Sequence, residues 1–293
     1  MISAGAKRLG WPLVPELPET ETIARDLNEM IAGARFRAIE APRLDVLREA
    51  DLDAWSDVIA GASVQRVWRR AKLIVLDLSD RDESTSWHIV VQPRFTGGLI
   101  VDSGALTETD RAYVCVTWRF ADGRALHYRD VRRLGTVALM SPARFAEYSG
   151  GLGGEPLDPA FTIVEFSVCV RASRQAIKVT LMDQRRLAGV GNIYANEALW
   201  WAGIDPSREA ASLSPAEAGA LFDALRAVLT ASIAARGTSF RDYRDARGER
   251  GGFVEQLAAY GRDGQPCRRC HRRLVGTHAI DGRGTVFCPT CQR

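Results

Sequence analysis

The sequence contains no hydrophobic run long enough to cross a membrane. Residues 221–235 form its longest apolar stretch, and Asp223 and Arg226 interrupt it, whereas a membrane helix needs about 20 predominantly apolar residues. No apolar run follows Lys7 and Arg8 near the first residue, so no secretory signal is predicted. We therefore expect a cytoplasmic protein without a membrane segment.

Lysine is scarce, because Lys7, Lys72 and Lys178 are the only lysines among 39 basic residues. A lysine ammonium group is compact and can lose its proton, which an arginine side chain does not do in proteins. Lys72 and Lys178 are therefore candidate functional residues. The net charge of +3 identifies no partner, but residues 261–293 combine seven arginines with two aspartates. That balance favours a polyanion as partner, with a solvated charged surface as the alternative.

Four of the six cysteines lie in the last 27 residues. They form two CxxC pairs, Cys267 with Cys270 and Cys288 with Cys291, separated by 17 residues. This spacing is typical of a tetrahedral zinc site with four thiolate ligands. Two disulfides are the alternative, but nothing in the sequence indicates an oxidising compartment. The sequence thus predicts one structural Zn²⁺ in a short terminal hairpin.

The order of the sequence patterns predicts an α+β protein with several domains. Hydrophobic residues make up 46% of the 293 positions, enough for a sizeable core. Residues 18–33 carry apolar side chains at helical spacing, and short β-like runs separated by turn residues fill residues 34–140. This pattern predicts an antiparallel β-sandwich with a flanking helix. Further helical patterns follow at residues 160–170, 174–184, 192–202 and 214–236.

A segment rich in glycine and proline, residues 148–160, is the predicted hinge between two domains. A β-sandwich domain is predicted at residues 15–147, a helical domain at 161–259 and the cysteine hairpin at 260–293.

A glycine-rich turn joins two of the predicted helices. Gly189, Val190 and Gly191 are followed by Asn192, which we interpret as a helix N-cap. The backbone N–H groups of such a turn are suited to hold a phosphate group. An ordinary turn between helices is the alternative.

Several short motifs follow one another along the chain. They are PELPETET from Pro15, RRAK ending at Lys72, YRDVRRLG from Tyr128, AIK ending at Lys178, GVGNIYANE from Gly189, and YGR from Tyr260 before the two CxxC pairs. In this order they resemble the formamidopyrimidine-DNA glycosylase / endonuclease VIII family, and more closely its formamidopyrimidine-DNA glycosylase branch.

The resemblance implies a helix–two-turns–helix domain between the β-sandwich and the zinc hairpin, with damaged double-stranded DNA in the cleft between domains. It implies a base-excision repair DNA glycosylase with AP lyase activity, and we expect a monomer. In the family the amine of an N-terminal proline, matched by Pro15, attacks C1′ of a flipped nucleotide and forms a Schiff base. Glu16 matches the carboxyl group that transfers protons, and Lys72 matches a lysine on an active-site hairpin.

Further positions match DNA-binding residues of the family. The resemblance implies phosphate contacts near the lesion for Lys178, Asn192 and Arg283. It implies contacts around the flipped nucleotide for Gln92, Phe95, Arg132, Arg133 and Leu134.

Three of these positions depart from the usual pattern of the family. Gln92 stands where a phosphate-binding histidine is usual, and Phe95 matches the residue that fills the hole left by the flipped base. Leu134 replaces a phenylalanine that acts as a wedge, and leucine stacks on bases less well than an aromatic ring.

The loop at residues 237–252 matches the segment that closes over a flipped purine. Oxidised purines, such as 8-oxoguanine and formamidopyrimidines, are therefore the expected lesions.

The largest departure is the position of Pro15, which follows fourteen other residues. A proline inside a peptide bond has no free amine, so the Schiff base requires a chain that begins at Pro15. We expect a mis-set start, because a GTG codon encodes Val14 internally but methionine when it initiates translation. The alternative is a genuine extension, which would leave a non-catalytic or altered-specificity protein that binds lesion DNA.

Overall fold

A computed structural model describes residues 15–79, 85–102, 106–240 and 243–293 of the chain. Its helices are α1 (Leu17–Ile31), α2 (Leu52–Ile59), α3 (Glu108–Arg111), α4 (Pro142–Gly150), α5 (Ile163–Arg171), α6 (Ile177–Met182), α7 (Asn192–Ala202) and α8 (Pro215–Ala234). Its strands are β1 (Phe36–Glu40), β2 (Leu47–Arg48), β3 (Ser63–Arg70), β4 (Leu73–Ser79), β5 (Thr85–Gln92), β6 (Gly97–Asp102), β7 (Val114–Phe120), β8 (Ala125–Asp130), β9 (Thr136–Met140), β10 (Val275–Thr277) and β11 (Thr285–Phe287). Strands β1–β9 thus precede α4, and the described residues after α4 are mainly helical.

Strands β1–β9 form two sheets with a shared core. One sheet has the order β2-β9-β5-β4-β3 and the other the order β1-β7-β8-β6. Large aromatic side chains fill the core, including Trp55 packed against Trp118 and Phe36 stacked on Phe120. The predicted β-sandwich is confirmed. Its one parallel pairing joins the two-residue strand β2 to β9, and the other described pairs of its strands are antiparallel.

Helix α2 lies in a region that the sequence patterns assign to β-like runs, so that assignment is wrong for this segment. The helix begins after Asp51, whose side chain accepts the N–H of Ala54 and satisfies the first turn. It buries Trp55 and Ile59, which are four residues apart and share one face. Two apolar positions are too few to reveal a helical period in the sequence.

The helices of the second half form a separate core. Helix α7 has the predicted bounds and ends at Gly203 with φ of 72°, a left-handed conformation that glycine adopts without strain. The predicted cap of α7 is wrong, because Gly191 is the N-cap and Asn192 is the first helical residue. No helix in the described ranges is long and apolar enough to cross a membrane.

One segment of the second half packs on the β-sandwich instead. Tyr243 and Ala246 are buried in the core formed by α1 and the two sheets. Arg236, just beyond α8, donates to Asp26 of α1 and to Asp245, with 2.5 Å to each carboxylate. Residues 243–249 therefore form a strap that joins the end of α8 to α1.

Candidate active site

The side chain of Glu16 lies at the N-terminus of α7, where its partner Ile193 is 177 residues further along the chain. Its Oε1 accepts the N–H of Ile193 at 2.9 Å, and its Oε2 accepts that of Tyr194 at 3.5 Å. Glu16 is buried, and the preceding Pro15 is buried as well. The partial positive charge of a helix N-terminus stabilises a carboxylate in this position.

The glycine-rich turn before α7 is shaped around Glu16. A Cβ atom at Gly191 would lie 2.3 Å from the Glu16 carboxyl carbon, so any other residue there would displace that carboxyl group. The N–H of Leu17 also donates to the Gly189 carbonyl at 3.0 Å and fixes the start of α1 against the turn. The predicted phosphate cradle is wrong for the first N–H groups of α7, because a carboxyl group of the same chain occupies them.

The charges of Lys72 and Glu16 interact with each other. Burial raises the pKa of Glu16, and the charge of Lys72 partly opposes that rise. Burial likewise lowers the pKa of Lys72, with Glu16 opposing and the nearby Arg283 adding to the effect. The site therefore combines a carboxyl group that holds its proton more readily than usual with an amine that loses its proton more readily than usual.

Lys72 lies on the turn between β3 and β4, and Glu155 holds that turn. Ala71 has a left-handed φ of 54°, a conformation that a non-glycine residue keeps only when its surroundings fix it. Glu155 Oε1 accepts the Ala71 N–H at 2.7 Å and an Arg70 guanidinium N–H at 2.9 Å. Its second oxygen pairs with Arg69.

A second carboxyl group, that of Glu19, connects Glu16 to the helical half. Its oxygens accept the N–H of Glu16 at 3.0 Å, the N–H of Thr238 at 2.7 Å and the hydroxyl of Tyr194 at 2.5 Å. Burial raises the pKa of Glu19 to about 7, although the hydrogen bonds oppose the rise. Sequence reasoning missed Glu19 as a site residue. The spacing of Glu16 and Glu19, typical of a capping box, was the available signal.

Three of the predicted phosphate-binding residues converge on the segment before β11. Lys178 is fully buried and donates to the Thr285 hydroxyl at 2.8 Å. Asn192 donates to the Gly284 carbonyl at 3.1 Å. The guanidinium group of Arg283 lies 3.7 Å from the sulfur of Met182 on α6. Burial lowers the pKa of Lys178, the negative charge of Asp281 opposes that shift, and the nearby positive charge of Arg283 adds to it.

The other predicted DNA-binding residues lie at the end of β5 and on the two loops that follow β5 and β8. The Arg132 guanidinium group stacks on the Phe95 ring at 5.0 Å from its centroid. Gln92 accepts a hydrogen bond from Arg94 at 3.3 Å. Arg133 pairs with Asp45 at 3.0 Å, and Leu134 is 41% exposed. None of these five predicted residues is bonded to Glu16 in the described part of the chain.

The four cysteines of the two CxxC pairs form one cluster. The sulfur atoms of Cys267, Cys270, Cys288 and Cys291 all lie within 4.8 Å of one another. In a tetrahedral zinc site, Zn–S bonds of about 2.3 Å place the sulfurs about 3.8 Å apart. Four thiols at such separations, around the β10–β11 hairpin, fit a metal ion with four thiolate ligands.

Comparison with known proteins matches both halves of the chain to domains of the same protein family. The family model for the formamidopyrimidine-DNA glycosylase N-terminal domain matches residues 14–137, and that for the formamidopyrimidine-DNA glycosylase H2TH domain matches residues 152–244. The formamidopyrimidine-DNA glycosylase of Desulfitobacterium hafniense is 38% identical over 281 residues, which are 95% of this chain and 100% of the relative. That of Heliobacterium modesticaldum is 39% identical over 283 residues, 96% of this chain and 100% of the relative.

Solved structures agree with the sequence relatives. A crystal structure of a Lactococcus lactis Fpg mutant with DNA containing Fapy-dG superposes with a TM-score of 0.86 at 31% identity, covering 95% of this chain and 100% of the other. The complex of Lactococcus lactis Fpg with DNA containing an abasic site gives 0.85 at 30% identity, with 95% and 99% coverage. This chain belongs to the formamidopyrimidine-DNA glycosylase family.

Proposed function

We propose that this protein excises oxidised bases from duplex DNA and cleaves the strand at the resulting abasic site. The observation that carries the proposal is the buried Glu16 carboxyl group, which is fixed at the N-terminus of α7 directly after Pro15. Family membership supports it, as do relatives solved with lesion-containing and abasic DNA.

The chemistry follows from an amine and a carboxyl group placed side by side. The neutral Pro15 nitrogen attacks C1′ of the flipped nucleotide, the bond from C1′ to the base breaks, and the base leaves with the proton that the Pro15 nitrogen releases. An α-amino group has a pKa of about 8, so part of it is unprotonated at neutral pH. Glu16, whose pKa is raised by burial, gives a proton to the sugar ring oxygen as the ring opens. The resulting Schiff base activates the sugar for elimination of its phosphates.

The remaining predicted residues complete this proposal. Lys72 is proposed to act at the active site, and Lys178, Asn192 and Arg283 to bind phosphates around the lesion. Gln92, Phe95, Arg132, Arg133 and Leu134 are proposed to contact the bases and backbone that the flipped nucleotide leaves behind. The cysteine cluster is proposed to hold one structural zinc ion, and four thiolates leave no open position for a catalytic water.

Oxidised purines are the proposed lesions. Two comparisons support this proposal. The relatives are formamidopyrimidine-DNA glycosylases, and one similar solved structure is a complex with DNA that contains Fapy-dG. The loop at residues 237–252 begins beside the site, because the Thr238 N–H is bound by Glu19. We further propose that the protein acts on chromosomal DNA in the cytoplasm.

The lyase reaction requires a free Pro15 amine, so we propose that the active chain begins at Pro15. The test compares this chain with the 293-residue form, both verified by intact mass, on duplex DNA containing 8-oxoguanine. Borohydride should trap the chain that begins at Pro15 on DNA, and peptide mapping should locate the cross-link at Pro15. The 293-residue form should bind lesion DNA without being trapped. Equal trapping of both forms would show that another amine is the nucleophile.

A matched pair of variants tests Glu16. Glu16→Gln keeps the size of the side chain but cannot give a proton, so base excision should be lost while lesion DNA is still bound. Glu147→Gln changes an exposed glutamate on α4 and should leave excision unchanged. Undiminished excision by the Glu16 variant would remove that residue from the proposed role.

A further inference from the structure

A single buried carboxyl group joins the two loops that carry Phe95 and Arg132. Asp130, at the end of β8, is 1% exposed. Its Oδ1 accepts the Thr96 hydroxyl at 2.5 Å and the Arg132 N–H at 3.1 Å. Its Oδ2 accepts the Gly135 N–H at 2.8 Å and the Tyr128 hydroxyl at 3.2 Å. Donors before β6 and donors after β8 therefore share one acceptor group.

The positions where the two loops join their strands are tightly packed, and they leave no space for a side chain at Gly97 or Gly135. A Cβ atom at Gly97 would lie 2.3 Å from the Pro93 carbonyl oxygen, and one at Gly135 would lie 2.0 Å from the Tyr128 hydroxyl oxygen. Real Cβ atoms do not approach so closely, because interiors are packed to van der Waals contact. Both loops therefore pack on the same small region around Tyr128 and Asp130.

Each loop also contains a residue in an unfavourable backbone conformation. Arg94 and Arg133 both have a left-handed φ of 50°, which persists in non-glycine residues only where the surroundings determine it. The Thr96 hydroxyl links the loops directly, since it also accepts the Arg132 N–H at 3.0 Å. The stacking of Arg132 on Phe95 joins them a second time at their tips.

We propose that Asp130 is a positioning residue that holds Phe95 and Arg132 as one preformed unit, which enters the base stack where a nucleotide has been flipped out. This inference rests on the proposed function. Flipping a base costs unstacking free energy, and an apolar or planar side chain that fills the gap offsets part of that cost. Side chains already held in the bound arrangement lose less conformational entropy when they enter the DNA.

The test uses Asp130→Asn in the chain that begins at Pro15. An asparagine keeps one acceptor oxygen but turns an NH₂ group toward two of the donors, so the loops lose part of their anchor. We expect kcat/KM for excision of 8-oxoguanine from paired duplex to fall by about tenfold. Asp77→Asn is the matched control, because Asp77 is also buried and accepts bonds from His88, Trp68 and Arg66. The control should retain the wild-type kcat/KM.

Two readouts separate positioning from a general loss of structure. A lesion placed opposite a missing base is already partly unstacked, so the defect of Asp130→Asn should shrink to less than threefold on that substrate. In a double-mutant cycle, Phe95→Ala should cost much less in the Asp130→Asn background than in the wild type, because both changes remove the same function. A defect of equal size on both substrates, or additive effects in the cycle, would overturn the inference.

Thr96→Val is the second variant, should Asp130→Asn not fold. It removes the hydroxyl that links the loops and leaves the carboxyl group in place, and it should show the same dependence on the substrate at a smaller scale. Wild-type excision by both variants would refute the positioning role while leaving the proposed function intact. If the wild-type chain itself excises neither substrate, the proposed function fails, and the inference fails with it.

Discussion

Glu19 lies fully buried one turn after Glu16, and its pKa is raised to about 7 mainly by that burial. The unfolded chain has the ordinary value of 4.5 for this group. At pH values between 4.5 and about 7, the folded state therefore holds a proton on Glu19 that the unfolded state has lost. The stability from Glu19 is therefore complete below pH 4.5 and is lost as the pH rises toward 7. Over this window, a difference of 2.5 pKa units at about 1.4 kcal/mol each corresponds to about 3 to 4 kcal/mol.

The first prediction is that Glu19→Gln reduces this pH dependence. A glutamine cannot ionise, so the free energy of unfolding of the variant should fall less than that of the wild type between pH 4.5 and 7. Urea unfolding at several pH values in this range measures the difference, and Glu147→Gln should keep the wild-type slope. A Glu19 variant with the same slope as the wild type would contradict the assignment.

At the residue scale, the sequence motifs predict Glu16 and Lys72 as site residues but do not predict the residues that hold them in place. Glu19 and Asp130 both lie inside motifs that the sequence displays, yet each also binds a partner far outside its motif, which for Asp130 is Thr96. Glu19 binds Tyr194 and Thr238, which are 175 and 219 residues away. A hydrogen bond between such distant positions depends on the tertiary structure, and no local pattern encodes it.

Among the elements, the hairpin of β3 and β4 depends on the linker after α4. The side chains of Arg69 and Glu155 are only 8% and 12% exposed, so their ion pair is shielded from water and from salt. Because Glu155 also binds the Ala71 N–H, it fixes the turn that carries Lys72. The linker thus contributes to the active site through its side chain as well as by joining the two halves.

The second prediction concerns Glu155→Gln. The change removes the negative charge between Arg69 and Arg70, and the free energy of unfolding should fall by about 2 kcal/mol. The turn at Lys72 should loosen, so kcat for base excision should fall more than the affinity for abasic-site duplex. Glu49→Gln, which breaks the exposed pair of Glu49 with Arg144, should change neither quantity measurably. An unchanged kcat in Glu155→Gln would show that the hairpin does not need this anchor.

The sequence predicted long periodic elements better than short ones. Helix α7 was placed with its observed bounds, because its ends carry glycine and its length allows several turns. Helix α2, with eight residues and two buried side chains, gives no such signal. The sequence also shows the glycines before α7, but it does not show why glycine is needed there. They accommodate Glu16, and that contact exists only after α1 and α7 have come together.

In the whole molecule, the strap of residues 243–249 joins parts that the sequence assigns to different domains. Arg236 bonds to Asp26 across 210 residues of chain, and Arg247 pairs with Asp26 and Glu29. The order of patterns along a chain predicts domains but not a segment that returns to the first one. This strap, together with the hydrogen bond between Glu19 and Thr238, fixes α1 against the end of α8.

The hairpin that carries the four clustered cysteines also connects distant parts of the chain. Its segment before β11 accepts hydrogen bonds from Lys178 on α6 and from Asn192 on α7. Apart from the cysteines, its buried core contains few apolar side chains, namely those of Leu274 and Val286. The proposed zinc ion would therefore supply most of the folding free energy of the hairpin.

The third prediction is that Cys288→Ser disorders the hairpin and weakens DNA binding while the β-sandwich stays folded. Lys178 and Asn192 would lose their partners at Thr285 and Gly284, so the proposed phosphate-binding groups on three elements would no longer be held together. Affinity for abasic-site duplex should fall at least tenfold, since several charged contacts are lost at once. Metal analysis should find about one zinc per wild-type chain, and hydrogen exchange should show increased exposure confined to the hairpin and its contacts. Cys169→Ser, at a thiol outside the cluster, should bind zinc and DNA normally. A metal-free Cys288 variant that binds lesion DNA with wild-type affinity would show that the hairpin does not organise these residues.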